Sequence, residues 1–397
     1  MLKIIVFRFY KHNHKIYHIY KQKLMWGNMK IRINKNVLDN VIEIVSRFTD
    51  PTSSFFSMRC ILISASEEKI IFKACNEVTS IIKYIDVDDN DVFVEQTGEI
   101  LVQCNLLKNI VKKLSGFIEL KTDLNNNLEI LQEDSRYNLN TSDINSFIKI
   151  DENLNIKKFE IDTNEFRKAV KDVAFAASTE ANLIYKCINF KSSGSRLNLA
   201  ATDVYRLAYY SINTGKQLDE FNFNVNAKDV KELIPTDAPE TITLFYNSVK
   251  FGVEYKNTIT TARITDLPFH DIEQLFNQVL SETKYKLTIN KKEINGLLNK
   301  IWLNTSEKQN RIEIKINKNE LSIYSRLDEI GDSFVKTSQF NIEGGSMIFD
   351  INYNFLKDAL NILDDEIIFL FDDKIQKILV LSKSNPNSKQ IVTPMRR

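Results

Sequence analysis

Four groups of residues have types and spacings that invite chemistry. Three of the four histidines, His12, His14 and His18, stand among Tyr10, Tyr17 and Tyr20, a set that suits a transition metal. The run Asp86-Val-Asp-Asp-Asn-Asp91 has the acidic alternation of a calcium loop. Asp364-Asp365 and Asp372-Asp373 are paired carboxylates of the kind that holds two metal ions. Gly215-Lys216 is a fragment of a phosphate-binding loop. None completes its motif. Position six of the calcium loop is Asp91 instead of glycine, and position twelve is Thr97 instead of glutamate. Gln217 follows the Gly-Lys pair, and Tyr210 stands where a phosphate loop has its first glycine. Both carboxylate pairs sit at predicted strand ends as turn residues. His270 is the one histidine after His18, and no nucleophile pairs with it in sequence. GxGxxG and GxSxG do not occur. Cys60, Cys75, Cys104 and Cys187 show no CxxC spacing, which argues against zinc and against a disulfide framework and suits a reducing cytoplasm. The expectation is a chain with no catalytic residues, no metal and no cofactor.

The elements around these residues repeat. Lys30–Phe48, Lys158–Ala176 and Lys286–Asn304 each open with an alternating strand (KIRIN, KFEID, KLTIN) and run into an amphipathic helix. Ile33, Ile161 and Ile289 are equivalent and evenly spaced along the chain. Asp162 with Glu165, and Asn290 with Glu293, make capping-box-like helix starts at the same point. A second helix recurs at 102–111, 225–234 and 351–360, and a pair of strands follows each helix. The period is far longer than the roughly 20–50 residues of a solenoid. The fold class expected is α+β: three tandem domains, each of two strand–helix–strand units, arranged with pseudo-symmetry as a ring or arc. The boundaries expected are an extension over 1–28, then domains over 29–152, 153–279 and 280–397. The stretch Ile4–Phe7 is too short for a signal peptide, and the domains are expected to begin at Met29.

Charge and composition sharpen the exclusions. The chain has 397 residues, 43% hydrophobic and 26% charged, the balance of a globular protein. No run approaches the roughly 18 apolar residues of a membrane span, so no membrane association is expected. The net charge is +1, but Lys3, Arg8, Lys11, Lys15, Lys21 and Lys23 all precede Met29, with no acid among them. Residues 29–397 therefore carry −5. Bulk attraction does not hold such a chain to nucleic acid, so basic residues must be segregated on one surface. The helices offer them. In 105–114, Leu106, Leu107, Ile110, Val111 and Leu114 form the expected apolar face, with Lys108, Lys112 and Lys113 off it. In 164–174, Arg167, Lys168 and Lys171 lie off the face of Phe166, Ala169, Val170 and Val173. Lys228, Lys231, Lys291, Lys292, Lys300 and Lys357 complete the set. Each helix alone reads as a solvated face; recurrence on equivalent helices makes a shared basic surface an equal reading.

Ala201-Thr-Asp-Val-Tyr-Arg-Leu207 resembles the Ala-Thr-Asp-Gly-His-Arg-Leu signature of the bacterial sliding-clamp family, the β subunits of DNA polymerase III. Thr393-Pro-Met-Arg396 is similar to that family's Met-Pro-Met-Arg terminus, and Arg263–Phe276 to its Phe-Pro-Asp-Tyr segment. The resemblance covers about residues 29–397. It implies a head-to-tail dimeric ring of six domains, with helices lining the hole and strands outside. It implies sliding on double-stranded DNA without sequence preference and tethering of the replicative polymerase, with no activity of its own. These helix lysines and Arg167 would then face DNA.

The resemblance also carries over a peptide-binding pocket onto Tyr185, Thr202, Val204, Tyr205, Arg206, Leu207, His270, Gln274, Leu275, Ile391, Thr393, Pro394, Met395 and Arg396. Val204 and Tyr205 replace the family's glycine and histidine, His270 a proline, Gln274 an arginine and Thr393 a methionine. Partners implied are a second copy of the chain, the polymerase catalytic subunit, the clamp loader and other proteins with the clamp-binding motif. Trp302 and Leu303 are expected at the dimer interface, where the first domain meets the third of the other chain, with a place in the core an equal reading for Trp302. Two readings from other classes stand beside this one: a DNA-processing enzyme on repeated α+β domains, and a scaffold that binds proteins only.

Overall fold

The computed structural model describes residues 29–123, 127–150, 156–180, 182–301, 310–327 and 331–396. The histidine cluster at His12, His14 and His18, and Trp302 and Leu303, lie outside this set. The described residues form two compact units: residues up to Lys158 with Glu232–Arg263, and Phe159–Lys231 with Ile264 onward.

Seven α-helices are present among the described residues: α1 (Lys35–Ser46), α2 (Cys104–Val111), α3 (Thr163–Ala174), α4 (Ala227–Glu232), α5 (Ile272–Ser281), α6 (Lys291–Leu298) and α7 (Tyr353–Ile362). The repeated strand–helix starts are set by polar caps. The side chains of Asn34, Asp162 and Asn290 accept from the amides of Asn36, Glu165 and Lys292, and so satisfy donors that a helix N-terminus leaves open. α4 is shorter than its pattern, because Pro235 disfavours helical geometry in the residue before it.

In the first unit, α1 and α2 lie side by side. One sheet runs in the order Val92–Gln96, Lys30–Asn34, Phe117–Thr122, Asn127–Gln132, Ser135–Asn140. The other joins Gly98–Gln103, Cys60–Ala65, Lys69–Cys75 and Thr79–Asp86, and continues through Thr258–Thr265, Lys250–Tyr255 and Thr241–Tyr246. Ile33, Leu38, Ile42, Ile63, Phe72, Leu107 and Ile118 fill one core. Leu106 departs from its expected place. It is 46% exposed, because neighbouring helix positions turn by about 100° and Leu107 takes the inward one.

The second unit repeats the plan. α6 and α7 pack together, with Ile289, Leu298, Ile314, Leu356, Leu360, Phe369 and Val380 as core. Its four-stranded sheet runs Gly331–Thr337, Leu321–Leu327, Arg311–Ile316, Met347–Asn352. Its larger sheet passes from one repeat to the next where Ser388–Val392 pairs antiparallel with Arg206–Asn213. The strand–helix pattern does not anticipate α5. This helix follows the Asp271 cap and places Ile272, Phe276 and Val279 on that sheet.

The acidic run is a turn. Asp88 Oδ1 accepts from the amides of Asn90, Asp91 and Val92 at 2.9, 2.6 and 3.1 Å. Asp364 pairs with Lys291 and Asp373 with Lys284, and Asp372 accepts from the Gln376 amide.

Candidate functional site

The segment Thr202–Leu207 is a tight turn with a built-in strain. Asp203 Oδ1 accepts from the amides of Tyr205 and Arg206 at 3.1 and 3.0 Å. Thr202 Oγ1 donates to the Arg206 carbonyl at 2.7 Å and accepts from the Val204 amide at 3.1 Å. Val204 adopts φ +82°, a region costly for a β-branched residue. This is the position where the family signature has glycine. The turn pushes Val204 and Tyr205 into solvent, at 57% and 63% exposure.

Arg206 holds the turn from beneath. Its Nε donates to Asp203 Oδ2 (3.0 Å), Nη1 to Asp358 Oδ2 on α7 (2.5 Å) and Nη2 to the Phe175 carbonyl (2.9 Å). The guanidinium lies over the Phe355 ring at 4.6 Å and near Phe175 at 5.3 Å. Every nitrogen is engaged within the chain, so Arg206 positions the site. Thr202 likewise uses its hydroxyl proton inside the turn.

The C-terminal residues are fastened to this frame. Arg206 registers with Val392 and Leu207 with Ile391. The Tyr205 carbonyl accepts from both the amide and the hydroxyl of Thr393, at 2.9 and 2.8 Å. The Met395 amide donates to the Asp350 carbonyl at 2.7 Å. Thr393, Pro394 and Met395 are half-buried and Arg396 is exposed.

Leu207 and Ile391 form one apolar cluster with Ala200, Leu379 and the α5 residues Ile272, Phe276 and Val279, with Leu275 and Phe269 packed against it. Tyr205 stacks on Phe355 at 6.4 Å, and Tyr185 on the exposed His270 at 6.3 Å. Gln274 is exposed on α5, its amide donating to the Asp271 cap. Thus Tyr205, Arg206, Leu207, Leu275, Ile391 and Thr393 come together directly, while Tyr185 with His270 makes a separate pair. Sequence reasoning missed Asp203, Phe175, Phe355 and Asp358 as supports, and α5 as wall. The Asp271 cap with apolar residues at 272, 276 and 279 carried the signal for α5. An apolar floor with aromatic rims suits a docked peptide. No nucleophile–base pair stands over it among the described residues.

The basic residues divide. Lys108 and Lys112 both reach Glu43, at 2.9 and 3.3 Å, and hold its carboxyl below the usual range. Lys291 pairs with Asp364 at 3.1 Å, and Lys357 donates to the Tyr353 hydroxyl at 3.1 Å. Arg167 is half-buried. Lys112, Lys113, Lys168, Lys171, Lys228, Lys231, Lys292 and Lys300 are exposed. The four thiols are buried, and burial pushes those of Cys60, Cys75 and Cys104 up to about 11. Among the described residues no cluster of His, Cys, Asp and Glu is arranged to hold a metal ion, and no helix is long and apolar enough to cross a membrane.

Residues 29–151, 160–271 and 279–396 match the family models for the N-terminal, central and C-terminal domains of the DNA polymerase III beta subunit. The chain is 28% identical over 376 residues to the beta sliding clamp of Mycoplasmopsis pulmonis, covering 93% of this chain and all of that one. It is 27% identical over 386 residues to the clamp of Mycoplasma pneumoniae, covering 92% and 100%. Its fold matches the crystal structure of the DNA polymerase sliding clamp from Bacillus subtilis with a TM-score of 0.87 at 23% identity, over 94% of this chain and all of that one.

Proposed function

Because the chain belongs to the DNA polymerase III beta-subunit family, the bacterial sliding clamps, we propose that two copies close head to tail around double-stranded DNA and hold partner proteins through the pocket at Leu207 and Ile391. The chain is a DNA sliding clamp, a processivity subunit without catalysis of its own. The readings as a DNA-processing enzyme or a protein-only scaffold give way to this one.

The observation that carries the pocket is the fastened C-terminal segment beside an apolar floor, Leu207 with Ile391 and Leu275. Partner peptides with leucine and phenylalanine anchors fit such a floor, each buried side chain contributing roughly 1.5–3 kcal/mol. The replicative polymerase catalytic subunit, the clamp loader and other motif-bearing proteins are the partners. They share one small site, so they compete. Tyr205 in place of histidine keeps an aromatic wall without a titrating imidazole, and Thr393 in place of methionine offers less apolar contact.

For DNA, the exposed ammonium groups on α3, α4 and α6, with Lys112 and Lys113 just after α2 and Lys300 after α6, supply sequence-blind attraction to phosphate. Lys108, Lys291 and Lys357 join them after exchanging their present partners, and Arg167 adds to the same surface. For ring closure, Ser135–Asn140 and Gly331–Thr337 each end a sheet, with one neighbour apiece among the described residues. An unpaired edge is a template for another chain. Pairing one with the other joins the first domain of one copy to the third of its partner, with Trp302 and Leu303 assigned to the same contact. A Leu303→Arg change is expected to split the dimer in sedimentation. The domain boundaries stay at 152/153 and 279/280, the latter falling within α5. The work is done in the cytoplasm.

The test is topological. Protein loaded by its loader stays on nicked circular DNA and runs off once the circle is linearised. Equal retention on linear DNA with free ends would refute the ring.

A further inference from the structure

A second cavity adjoins the pocket floor. It has a volume of about 140 Å³, room for several waters or one side chain. Asn189, Asn198, Asn222, Tyr209 and the start of α5 line it, with Lys191 and Glu273 at its edge. Most of this lining is polar, unlike the apolar floor. It sits over the strands Cys187–Ser193 and Arg196–Thr202, on the side of Arg206–Asn213 away from the C-terminal strand Ser388–Val392.

Asn189 and Asn198 are only 5% and 7% exposed. The Asn198 Oδ1 accepts from the hydroxyls of Tyr209 and Ser211 at 2.9 and 2.8 Å, which turns its Nδ2 the other way. The Asn189 Nδ2 donates to Asn222 Oδ1 and Asn224 Oδ1 at 2.7 and 2.9 Å, which leaves its Oδ1 opposite. Among the described residues, neither Asn198 Nδ2 nor Asn189 Oδ1 takes part in a hydrogen bond. Neither is among the fully buried unpartnered polar atoms, so both open into the cavity and present their hydrogen-bonding capacity to whatever occupies it. One is a donor and the other an acceptor. A carboxamide offers the matching acceptor and donor in a single group. Lys191 and Glu273 pair at 3.3 Å and offset each other, and Asp271 also lines the cavity, so an acidic ligand is disfavoured against a neutral one.

The cavity borders the pocket floor. Ala200, Tyr209, Phe269 and Ile272 line it and also belong to, or pack against, the cluster of Leu207, Leu275 and Ile391. We infer that this cavity is a carboxamide subsite, which takes an asparagine-type side chain of a partner peptide beyond its apolar anchors, on the side away from the Tyr205 turn. The inference rests on the pocket reading given above. A site built to hydrogen-bond its ligand discriminates against an isostere that lacks the groups.

The experiment uses the full chain and fluorescent peptides with one leucine and one phenylalanine anchor and alanine elsewhere. Asparagine, leucine and aspartate, which share one shape, are walked through the flanking positions. Glutamine, methionine and glutamate form the longer matched set. At one position the amide should bind about 5- to 150-fold tighter than its apolar match, the range of two net hydrogen bonds, with the acid well below the amide. Asn198→Asp keeps the acceptor for Tyr209 and Ser211 but removes the free donor, and should bring the amide-to-apolar ratio to about one. A crystal structure of the amide peptide complex should place the carboxamide within hydrogen-bond reach of Asn198, a readout that needs no variant. No preferred position, a preference that survives Asn198→Asp, or an amide bound elsewhere would each overturn the subsite. If the alanine-flanked peptide itself does not bind, the pocket reading falls and the subsite with it; if it binds without amide preference, only the subsite falls.

Discussion

Replacing Arg206 by alanine should loosen the turn that presents Tyr205 and the strand that carries the C-terminal segment. Its guanidinium makes three charge-assisted hydrogen bonds, to Asp203, Asp358 and the Phe175 carbonyl, and its side chain is 14% exposed. Asp358 is 41% exposed, so water can replace its arginine and that pair contributes little. Asp203 is 13% exposed and would keep only the two turn amides, so its loss dominates. Breaking one side of a buried pair costs about 3–5 kcal/mol, and the exposed third partner moves the expectation to the lower end, about 3 kcal/mol. If the opening is local, the Thr393 amide, held by the Tyr205 carbonyl, should exchange with solvent deuterium about 100-fold faster. Lysine at this position keeps the charge but not the planar fork, and should recover about half of the free energy. Exchange at Tyr205 and Thr393 within threefold of the unaltered protein would refute the clamp role of Arg206.

Deleting Pro394–Arg397 removes the Met395–Asp350 link and one wall of the pocket, so pull-down of polymerase and loader should be lost while sedimentation still shows the dimer. Asp172 is buried with Oδ2 unpartnered, and burial raises its carboxyl from 3.8 to about 6 against the pull of Lys168 and Lys171, with Asp364 adding to the rise. The fold therefore favours its protonated form: that stabilisation is full below pH 3.8 and is lost as pH rises through about 6. Asp172→Asn should stabilise the protein by about 2–3 kcal/mol at pH 7.5, a gap that narrows toward pH 4.5 in denaturant titrations; equal stability at pH 7.5 would count against the buried charge. The Cys60, Cys75 and Cys104 thiols, raised to about 11, should resist iodoacetamide at pH 8 and react only after unfolding, as mass spectrometry of the labelled chain would show.

The repeat was legible because its signals are local. Asn34, Asp162 and Asn290 cap helices at one point of the repeat, and each cap needs only two or three neighbouring residues to work. The turn at Asp203 and the tail at Thr393 were legible as motifs. Their joining was not. Arg206–Asn213 and Ser388–Val392 pair although α5, α6 and α7 all lie between them in the chain, and such a pairing leaves no periodic trace. Arg206 read as a flanking contact for a peptide. Its true partners come from three places in the chain, Asp203, Phe175 and α7, and only the fold brings them to one guanidinium. α5 was hidden because it falls outside the repeated strand–helix pattern, though its cap and apolar spacing were present.

The two units show why a repeated frame yields an apolar seam in one unit and not in the other. Equivalent residues of the two play the same backbone parts. Asn76 Oδ1 accepts from the amides of Val78 and Thr79, as Asp203 Oδ1 does from Tyr205 and Arg206. The Arg263 amide donates to the Val78 carbonyl at 3.0 Å, as Thr393 does to Tyr205 at 2.9 Å. Cys60 and Cys187 both donate to the carbonyl four residues back, at 3.3 Å. The side chains then diverge. Where the second unit registers Leu207 with Ile391, the first registers Ser80 with Thr261, and their hydroxyls bond to each other at 2.6 Å. That bond satisfies both polar groups and leaves no apolar floor for an anchor. Where the second unit has Arg206, the first has Thr79, with no guanidinium to brace the turn. The backbone repeat sets the seam; two side-chain pairs decide whether it closes on itself through hydroxyls or stays apolar.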